Sequence, residues 1–242
     1  MSRCQVSVIM AVHNGEPYLE ESVLSILGQT VTAFEFVIVD DGSTDRTPEI
    51  LAQFRRQDPR IVVIRHEHSG QTPSLNRAVR ASRGLYLARH DADDMSLPAR
   101  FERQLRYLEV HPRVAAIGCA GEAIDEQGRV IGRLPSRHGA KRVRRGLLQF
   151  RSTLYHSSVM MRREAFEAVG GYREAFVASQ DLDLWLRILQ RYELDNLPEV
   201  LFRWRLSPSG VYATRRESQL KYGGIALAFA RERRTRGGDS YD

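Results

Sequence analysis

Gly84-Leu85-Tyr86-Leu87-Ala88-Arg89-His90-Asp91-Ala92-Asp93-Asp94 runs a short apolar segment directly into three carboxylates within four positions. Residues 85–88 make a run of the length a buried parallel strand uses, and Gly84 reads as the stop of a preceding helix. The acids then sit at the carboxyl end of a strand, just where open α/β sheets bind their ligands. Three like charges this close repel one another unless a divalent cation or a ring of donors neutralises them. Mg²⁺ or Mn²⁺ prefers oxygen ligands and shares itself between one or two carboxylates and a phosphate group, so a nucleoside diphosphate is the natural second partner. The competing reading is an acidic loop that caps the next helix, because Met95-Ser96-Leu97-Pro98 follows and Pro suits the first helical position.

The chain has 242 residues, 42% of them hydrophobic, enough for one sizeable α/β domain with a C-terminal extension. The apolar run Val6 to Val12 is too short to span a bilayer and lacks the order of a signal peptide, which predicts a soluble, cytosolic protein. Cys4 and Cys119 are the only cysteines, neither a disulfide framework nor a zinc spacing. The formal net charge is +6, carried almost entirely by arginine, with Lys141 and Lys221 the only lysines. Such a balance fits phosphate-bearing ligands, anionic membranes or nucleic acid without choosing among them.

Strands and helices alternate along the first half. Gln5 to Val12 reads as a strand, and Glu16-Pro17 opens a helix with Leu19, Val23, Leu24 and Leu27 at helical spacing. Phe34 to Val39 is a strand ending in Asp40-Asp41-Gly42-Ser43. Thr47-Pro48 starts a helix, Ile61 to Ile64 is the next strand, and Thr72-Pro73 opens another helix. Pro98 to Val110 is a helix, and Val114 to Cys119 a strand that leads into a hairpin around Glu126-Gln127-Gly128. This rhythm predicts a parallel sheet whose parallel half ends near residue 120, followed by a mixed half. There, Ala140 to Phe150 is a basic helix, Ser157 to Met161 a strand and Glu164 to Val169 a short helix. Leu182 to Leu189 is a helix entered through Gln180-Asp181, Val200 to Leu206 the last strand and Glu217 to Arg234 the last helix, with a frayed tail from Thr235. Acids at two strand ends, Asp40-Asp41 and Asp91 to Asp94, fall on one edge of the sheet, one set suited to a metal and the other to a base or ribose.

Several ordered segments resemble the family-two glycosyltransferases with a GT-A fold, over roughly residues 5 to 206. They are Val6-Ser7-Val8-Ile9-Met10 with Asn14-Gly15, Val37-Ile38-Val39-Asp40-Asp41-Gly42-Ser43-Thr44-Asp45, and Arg83-Gly84 through Asp94 with Pro98. His156-Ser157-Ser158 with Met161-Arg162-Arg163, Gly170-Gly171-Tyr172 and Gln180-Asp181-Leu182-Asp183-Leu184-Trp185 complete the set. The resemblance implies a GT-A-like domain over 1–206, with a nucleotide-binding half (1–120), an acceptor-side half (121–206) and a C-terminal helix and tail (207–242). It implies inverting, metal-dependent transfer of a sugar from a nucleotide-diphosphate sugar to a saccharide or lipid-linked saccharide in cell-surface polysaccharide synthesis. Ala11, Asn14, Asp41, Asn76, Arg89 and Asp93 would contact the nucleotide sugar. Asp91, Asp93 and Asp94 would share Mn²⁺ or Mg²⁺ with the diphosphate, and Asp181 would take the proton of the acceptor hydroxyl.

Three departures from the family pattern stand out. Gln180 occupies a position that is often Glu, although an amide can still orient its neighbour. Leu75-Asn76 stands where many relatives carry Arg-Asn, leaving Arg89 and Arg77 as candidates for that contact. Val200-Leu201-Phe202-Arg203-Trp204 has Val in place of the Gln of processive relatives, which predicts single additions. Asp181 could instead serve only the helix dipole, Trp185 reads as core rather than a sugar platform, and His156 fits either a phosphate or a backbone carbonyl. The basic runs 142–145 and 231–236 read as solvated faces or as peripheral contact with anionic lipid at the inner face of the membrane. The alternative function is a non-catalytic nucleotide-sugar or glycan-binding module. A nucleotidyltransferase lacks its glycine-rich phosphate loop here, an Asp-nucleophile phosphotransferase leaves Asp40-Asp41 and Asp181 unexplained, and no stacking-aromatic motif supports a nucleic-acid partner. Base, sugar, acceptor, linkage and oligomeric state are not encoded legibly.

Overall fold

The computed structural model describes residues 4–151, 154–207 and 216–241. Three parallel strands carry its centre: β1 (Val6–Val12), β2 (Phe34–Asp41) and β4 (Tyr86–Arg89), with β3 (Ile61–His66) on the outer side of β2. β1 and β2 are apolar on both faces and almost wholly buried, as strands covered by helices on both sides must be. The helices between them are α1 (Leu19–Leu27), α2 (Thr47–Gln57) and α3 (Gln71–Ala81). Alternation along β1 feeds two cores. Val6, Val8 and Met10 pack with α1, α2 and α4 (Arg100–Val110), whereas Ile9 packs with α3 and the helices of the second half.

The sheet continues through β8 (Met160–Arg162), β6 (Val114–Ile124), β9 (Glu193–Arg205) and the two-residue β5 (Met95–Ser96), in the order β3-β2-β1-β4-β8-β6-β9-β5. β7 (Val130–Arg133) forms the expected hairpin on β6. The α/β GT-A-like class is the observed one, but the contiguous parallel set β3-β2-β1-β4 ends at Arg89 rather than near residue 120, and β6 pairs parallel only with β9 beyond the interruption. β8 inserts antiparallel between β4 and β6, so β6 never touches the parallel set. Nothing local marks that insertion, because each of the two strands is apolar whichever neighbour it takes.

Other boundaries move for identifiable reasons. α3 ends at Ala81, three residues before Gly84, and Gly84 serves packing instead: a Cβ there would lie 2.5 Å from the Ser7 backbone nitrogen. The strand begins at Tyr86, and Leu85 is half exposed. β9 starts at Glu193, not Val200, because the register jumps from Leu197–Cys119 to Val200–Ala120 and the bulge absorbs Pro198. Residues 156–158 form a 3-10 turn before β8. The remaining helices are α5 (Ala140–Leu148), α6 (Arg163–Ala168), α7 (Gln180–Ile188) and α8 (Arg216–Arg236). The end of the chain is not frayed as far as Tyr241. The buried Asp239 carboxylate accepts from Arg173 at 2.8 Å and pairs with Arg233, and Arg173 stacks on Tyr241. Arg233 is therefore a structural residue, whereas Lys141, Arg142, Arg144 and Arg145 form the solvated face of α5. Both cysteines are free.

Two glycines test this packing in opposite directions. Gly84→Ala forces its Cβ into the backbone of Val6 and Ser7 and is expected to lower stability by about 1–3 kcal/mol. Gly224→Ala, with open space in the interior of α8, is expected to raise it by about 0.5–1 kcal/mol. Denaturant melts of both variants check the pair, and an unchanged midpoint for Gly84→Ala contradicts the close approach.

Candidate active site

The carboxyl ends of β1, β2 and β4 lie on one edge of the sheet. β1 ends near Ala11, which pairs with Val39 of β2. Beyond it Asn14 adopts a left-handed conformation at φ 53°, where Asn is better tolerated than most residues. Its backbone N–H donates to Ser43 Oγ at 2.9 Å and its side-chain oxygen accepts from Thr44 N at 2.8 Å, which clips the β1 loop onto the β2 loop.

Asp41, at the end of β2, is buried and its carboxylate is fully engaged. It accepts from Ser69 N at 2.8 Å, Gly70 N at 2.9 Å and Ser74 Oγ at 2.9 Å, and His68 Nδ1 lies 2.9 Å away. Burial works to raise this carboxyl, but the bonds from Ser69, Ser74 and Gly70, with His68 beside them, outweigh it and hold it below the usual range. Asp41 therefore fixes the 66–70 loop at the start of α3.

Arg89 closes β4 with its guanidinium fully buried. It pairs with Asp91 and donates to the His90 carbonyl, and its Nε has no hydrogen-bond partner. Burial, followed by the charge of Asp91, lifts the Asp93 carboxyl from 3.8 to about 6. Asp94 is buried and lies well above the usual carboxylate range, through burial first and then the charges of Asp93 and Asp91. Its Oδ1 accepts from the Arg205 backbone N–H at 3.0 Å. The expected trio Asp91, Asp93 and Asp94 is thus not gathered around one point. Asp91 turns to Arg89 and Asp94 turns inward to β9. Among the described residues no three His, Cys, Asp or Glu side chains form a cation-holding group.

Asp181 occupies the first turn of α7, directly after Ser179 in the left-handed region and the buried Gln180. Burial pushes its carboxyl up and the Asp91 charge adds to the rise, against the Leu182 and Asp181 backbone N–H groups and the Arg89 charge. Asp181, Asp91 and Arg89 therefore sense one another. The His156 ring nitrogen Nε2 lies 2.7 Å from the Tyr172 hydroxyl, a side-chain partner beyond the backbone carbonyl considered from sequence. Burial, then the Arg89 charge, keeps it neutral. Trp185 is core, as expected. The Asn76 amide donates to the Tyr172 carbonyl at 2.9 Å and to Glu174 at 3.0 Å, and its oxygen accepts from Tyr172 N.

Arg205 is the residue that reading the sequence missed. From the end of β9 its buried guanidinium donates to the carbonyls of Asp93 (2.9 Å) and Asp125 (2.9 Å), pairs with Glu21 and stacks 4.5 Å from the Tyr18 ring centre. It holds the acidic loop from behind. Its only sequence signal is position, next to Phe202-Arg203-Trp204, and Arg203 drew attention instead although it merely pairs with Glu122.

Comparisons with known proteins place this arrangement of strand-end acids and a helix-borne carboxylate in a family. Residues 7–170 match the family described as "Glycosyl transferase family 2". The chain is 34% identical over 232 residues to an uncharacterized glycosyltransferase of Methanocaldococcus jannaschii, covering 94% of this chain and 79% of that protein. It is 32% identical over 207 residues to the O-antigen biosynthesis glycosyltransferase WbnJ of Escherichia coli, covering 83% and 79%. In fold it is similar to the mannosyltransferase PcManGT from Pyrobaculum calidifontis, solved in complex with GDP-Man and Mn²⁺ (TM-score 0.72, 21% identity), covering 97% of this chain and 65% of that one. The chain belongs to glycosyl transferase family 2, a family of nucleotide-sugar-dependent enzymes, and its fold is GT-A. No helix among the described residues is long and apolar enough to cross a membrane.

The raised carboxyl of Asp93 has a consequence for stability. Between 3.8 and about 6 the folded protein holds a proton that the unfolded chain has released, so stability falls as pH rises through this window. Asp93→Asn, measured with a chelator present, is expected to unfold several degrees above the wild type at about pH 7.5, the gap closing toward about pH 4. A gap that does not change with pH contradicts the assignment.

Proposed function

We propose that the protein transfers a sugar from a nucleoside-diphosphate sugar to an acceptor hydroxyl with inversion at the anomeric carbon, and that Asp181 is the catalytic base. The observation that carries this reading is the place of Asp181 in the first turn of α7, beside Gln180, whose amide reaches through Gln71 toward Asp91 at the end of β4; burial raises its carboxyl. A carboxylate lifted in this way is a stronger proton acceptor than an exposed one. The acceptor hydroxyl gives its proton to Asp181 as its oxygen bonds to the anomeric carbon. The bond from that carbon to the diphosphate oxygen breaks, and the diphosphate leaves with the electron pair. Attack opposite the leaving group inverts the centre in a single step, as it does in inverting glycoside hydrolysis.

The remaining residues divide the substrate among them. Arg89, with a buried N–H lacking a partner, offers positive charge near the leaving group. Asp91 and Asp93, the latter raised by burial and then by the Asp91 charge, are the carboxylates that would hold Mn²⁺ or Mg²⁺ with a diphosphate, with Asp94 behind them; such an ion, when bound, would stabilise the leaving group as a Lewis acid. Ala11, Asn14 and Asp41 form the nucleotide side, where a base bonds Asp41 by taking the place of one of the donors from the 68–70 loop. Asn76 acts indirectly, by holding residues 172–174. The name of the Escherichia coli relative supports a saccharide acceptor, lipid-linked for an enzyme working at the inner face of the membrane. Val200 supports single additions.

A panel of UDP- and GDP-sugars with Mn²⁺ or Mg²⁺, read by release of nucleoside diphosphate, tests this. One donor is expected to be cleaved in a metal-dependent way, with Asp181→Ala and Asp93→Ala each lowering the rate about a hundredfold or more. The product should carry the opposite anomeric configuration by NMR. Full turnover by Asp181→Ala, or retained configuration, removes Asp181 from the role of base.

A further inference from the structure

Gln71 and Gln180 lie 109 positions apart in sequence and meet between the starts of α3 and α7. Gln71 is the first residue of α3, and Gln180 is the buried first residue of α7, directly before Asp181. Gln180 Nε2 donates to Gln71 Oε1 at 2.9 Å. The Gln71 amide nitrogen in turn faces Asp91 Oδ1 at 3.5 Å, the long limit of a hydrogen bond, and Arg89 pairs with the same oxygen. A line of donors therefore runs from the start of α7 through one glutamine to the acidic end of β4.

The chemistry of the amides gives this line its direction. Exchanging oxygen and nitrogen in both side chains keeps the bond between the glutamines but turns the Gln71 carbonyl against the Asp91 carboxylate. Only the observed orientation gives Asp91 a donor. Gln180 must then supply a proton to Gln71, which an acid at position 180 cannot do once ionised. Such an acid would claim the Gln71 N–H groups and leave the Gln71 carbonyl facing Asp91.

We infer that Gln71 is a positioning residue that sets Asp181 against the acidic strand end, holding Gln180 through its carbonyl and Asp91 through its amide nitrogen. The inference rests on the proposed transfer reaction and adds to it a cause for Gln at position 180. Thr72 strengthens the same joint, since its hydroxyl donates to the Phe176 carbonyl at 2.8 Å, four residues before Gln180. A lysine at position 71 could donate to a carboxylate at 180 and to Asp91 together, so the pair Gln180→Glu with Gln71→Lys offers a substitute bridge.

Steady-state kinetics with the UDP- or GDP-sugar that the wild type cleaves, together with thermal unfolding, test this. Gln71→Leu and Gln180→Leu should each lower kcat about ten- to a hundredfold, with an unchanged KM for the donor and little change in Tm. The double Leu variant should be no worse than the poorer single one, because both remove the same bridge. Gln180→Glu should be slow, and Gln71→Lys added to it should recover most of kcat; this comparison decides the matter should Gln180→Leu fail to fold. Singles with wild-type kcat, losses that multiply in the double variant, or a kcat loss that follows Tm overturn the inference alone. A wild type that cleaves no donor overturns the transfer reading and the inference with it.

Discussion

The hydrogen bonds that leave the first turns of α3 tie together three loops that strand pairing does not connect. Ser74 donates to Asp41 at the end of β2, Gln71 reaches Asp91 at the end of β4 and accepts from Gln180, and Thr72 and Asn76 bond the carbonyls of Phe176 and Tyr172. The helix is itself held by the sheet, through Leu75, Ala78 and Val79 packed against Ile9, Val37 and Val39. Its polar edge thereby inherits the rigidity of the parallel core. A carboxylate at the start of one helix and an acidic cluster at a strand end keep a fixed separation only if something rigid joins them, and here α3 does so.

Buried ions around α7 and β4 are held in networks of protein partners. Behind α7, Asp183 accepts from Arg187 at 2.9 Å and sits 3.6 Å from Arg173, which in turn binds Asp239. That network locks the segment preceding Asp181 to the end of the chain. Beneath β4, buried Arg100 donates to the Arg89 carbonyl at 2.6 Å and to Ser96 at 2.6 Å. Burial lowers its pKa to about 10, with Asp94 among the charges opposing the fall. Removing one member of such an assembly leaves the others buried and unpaired, which destabilises more than the pair itself stabilises. Asp93, Asp94 and Asp181 stand apart, with carboxyls raised instead of lowered. These are the positions where the fold tolerates unfavourable charge, and they coincide with the proposed chemistry.

What could be read in the sequence was local. Apolar runs such as Val6 to Val12 and Phe34 to Val39 become strands because few other structures bury four consecutive β-formers, and Thr47-Pro48 starts a helix because proline fits a first turn. The acids after β2 and β4 share an edge because parallel strands all present their carboxyl ends on one side. Ordered motifs then carried the family and singled out Asp41, Asp91, Asp93 and Asp181 as candidates. Local reading misjudged Gly84, which resembles a helix stop but serves an approach to Ser7 across the sheet, and the start of the last strand, which lies at Glu193 rather than Val200 because a bulge absorbs Pro198.

The sequence by itself determined the alternation of strands and helices, the edge on which function gathers and the identity of the acids, since each depends on spacing along the chain. Only the tertiary structure decided that β8 separates β4 from β6, that Asp94 turns inward to Arg205, that Asn76 braces a loop and that Gln71 meets Gln180. Those facts concern residues up to 111 positions apart, as for Asp94 and Arg205. Their contacts are set by the order of strands in the sheet, and apolar strands of similar composition do not announce which neighbour they will take.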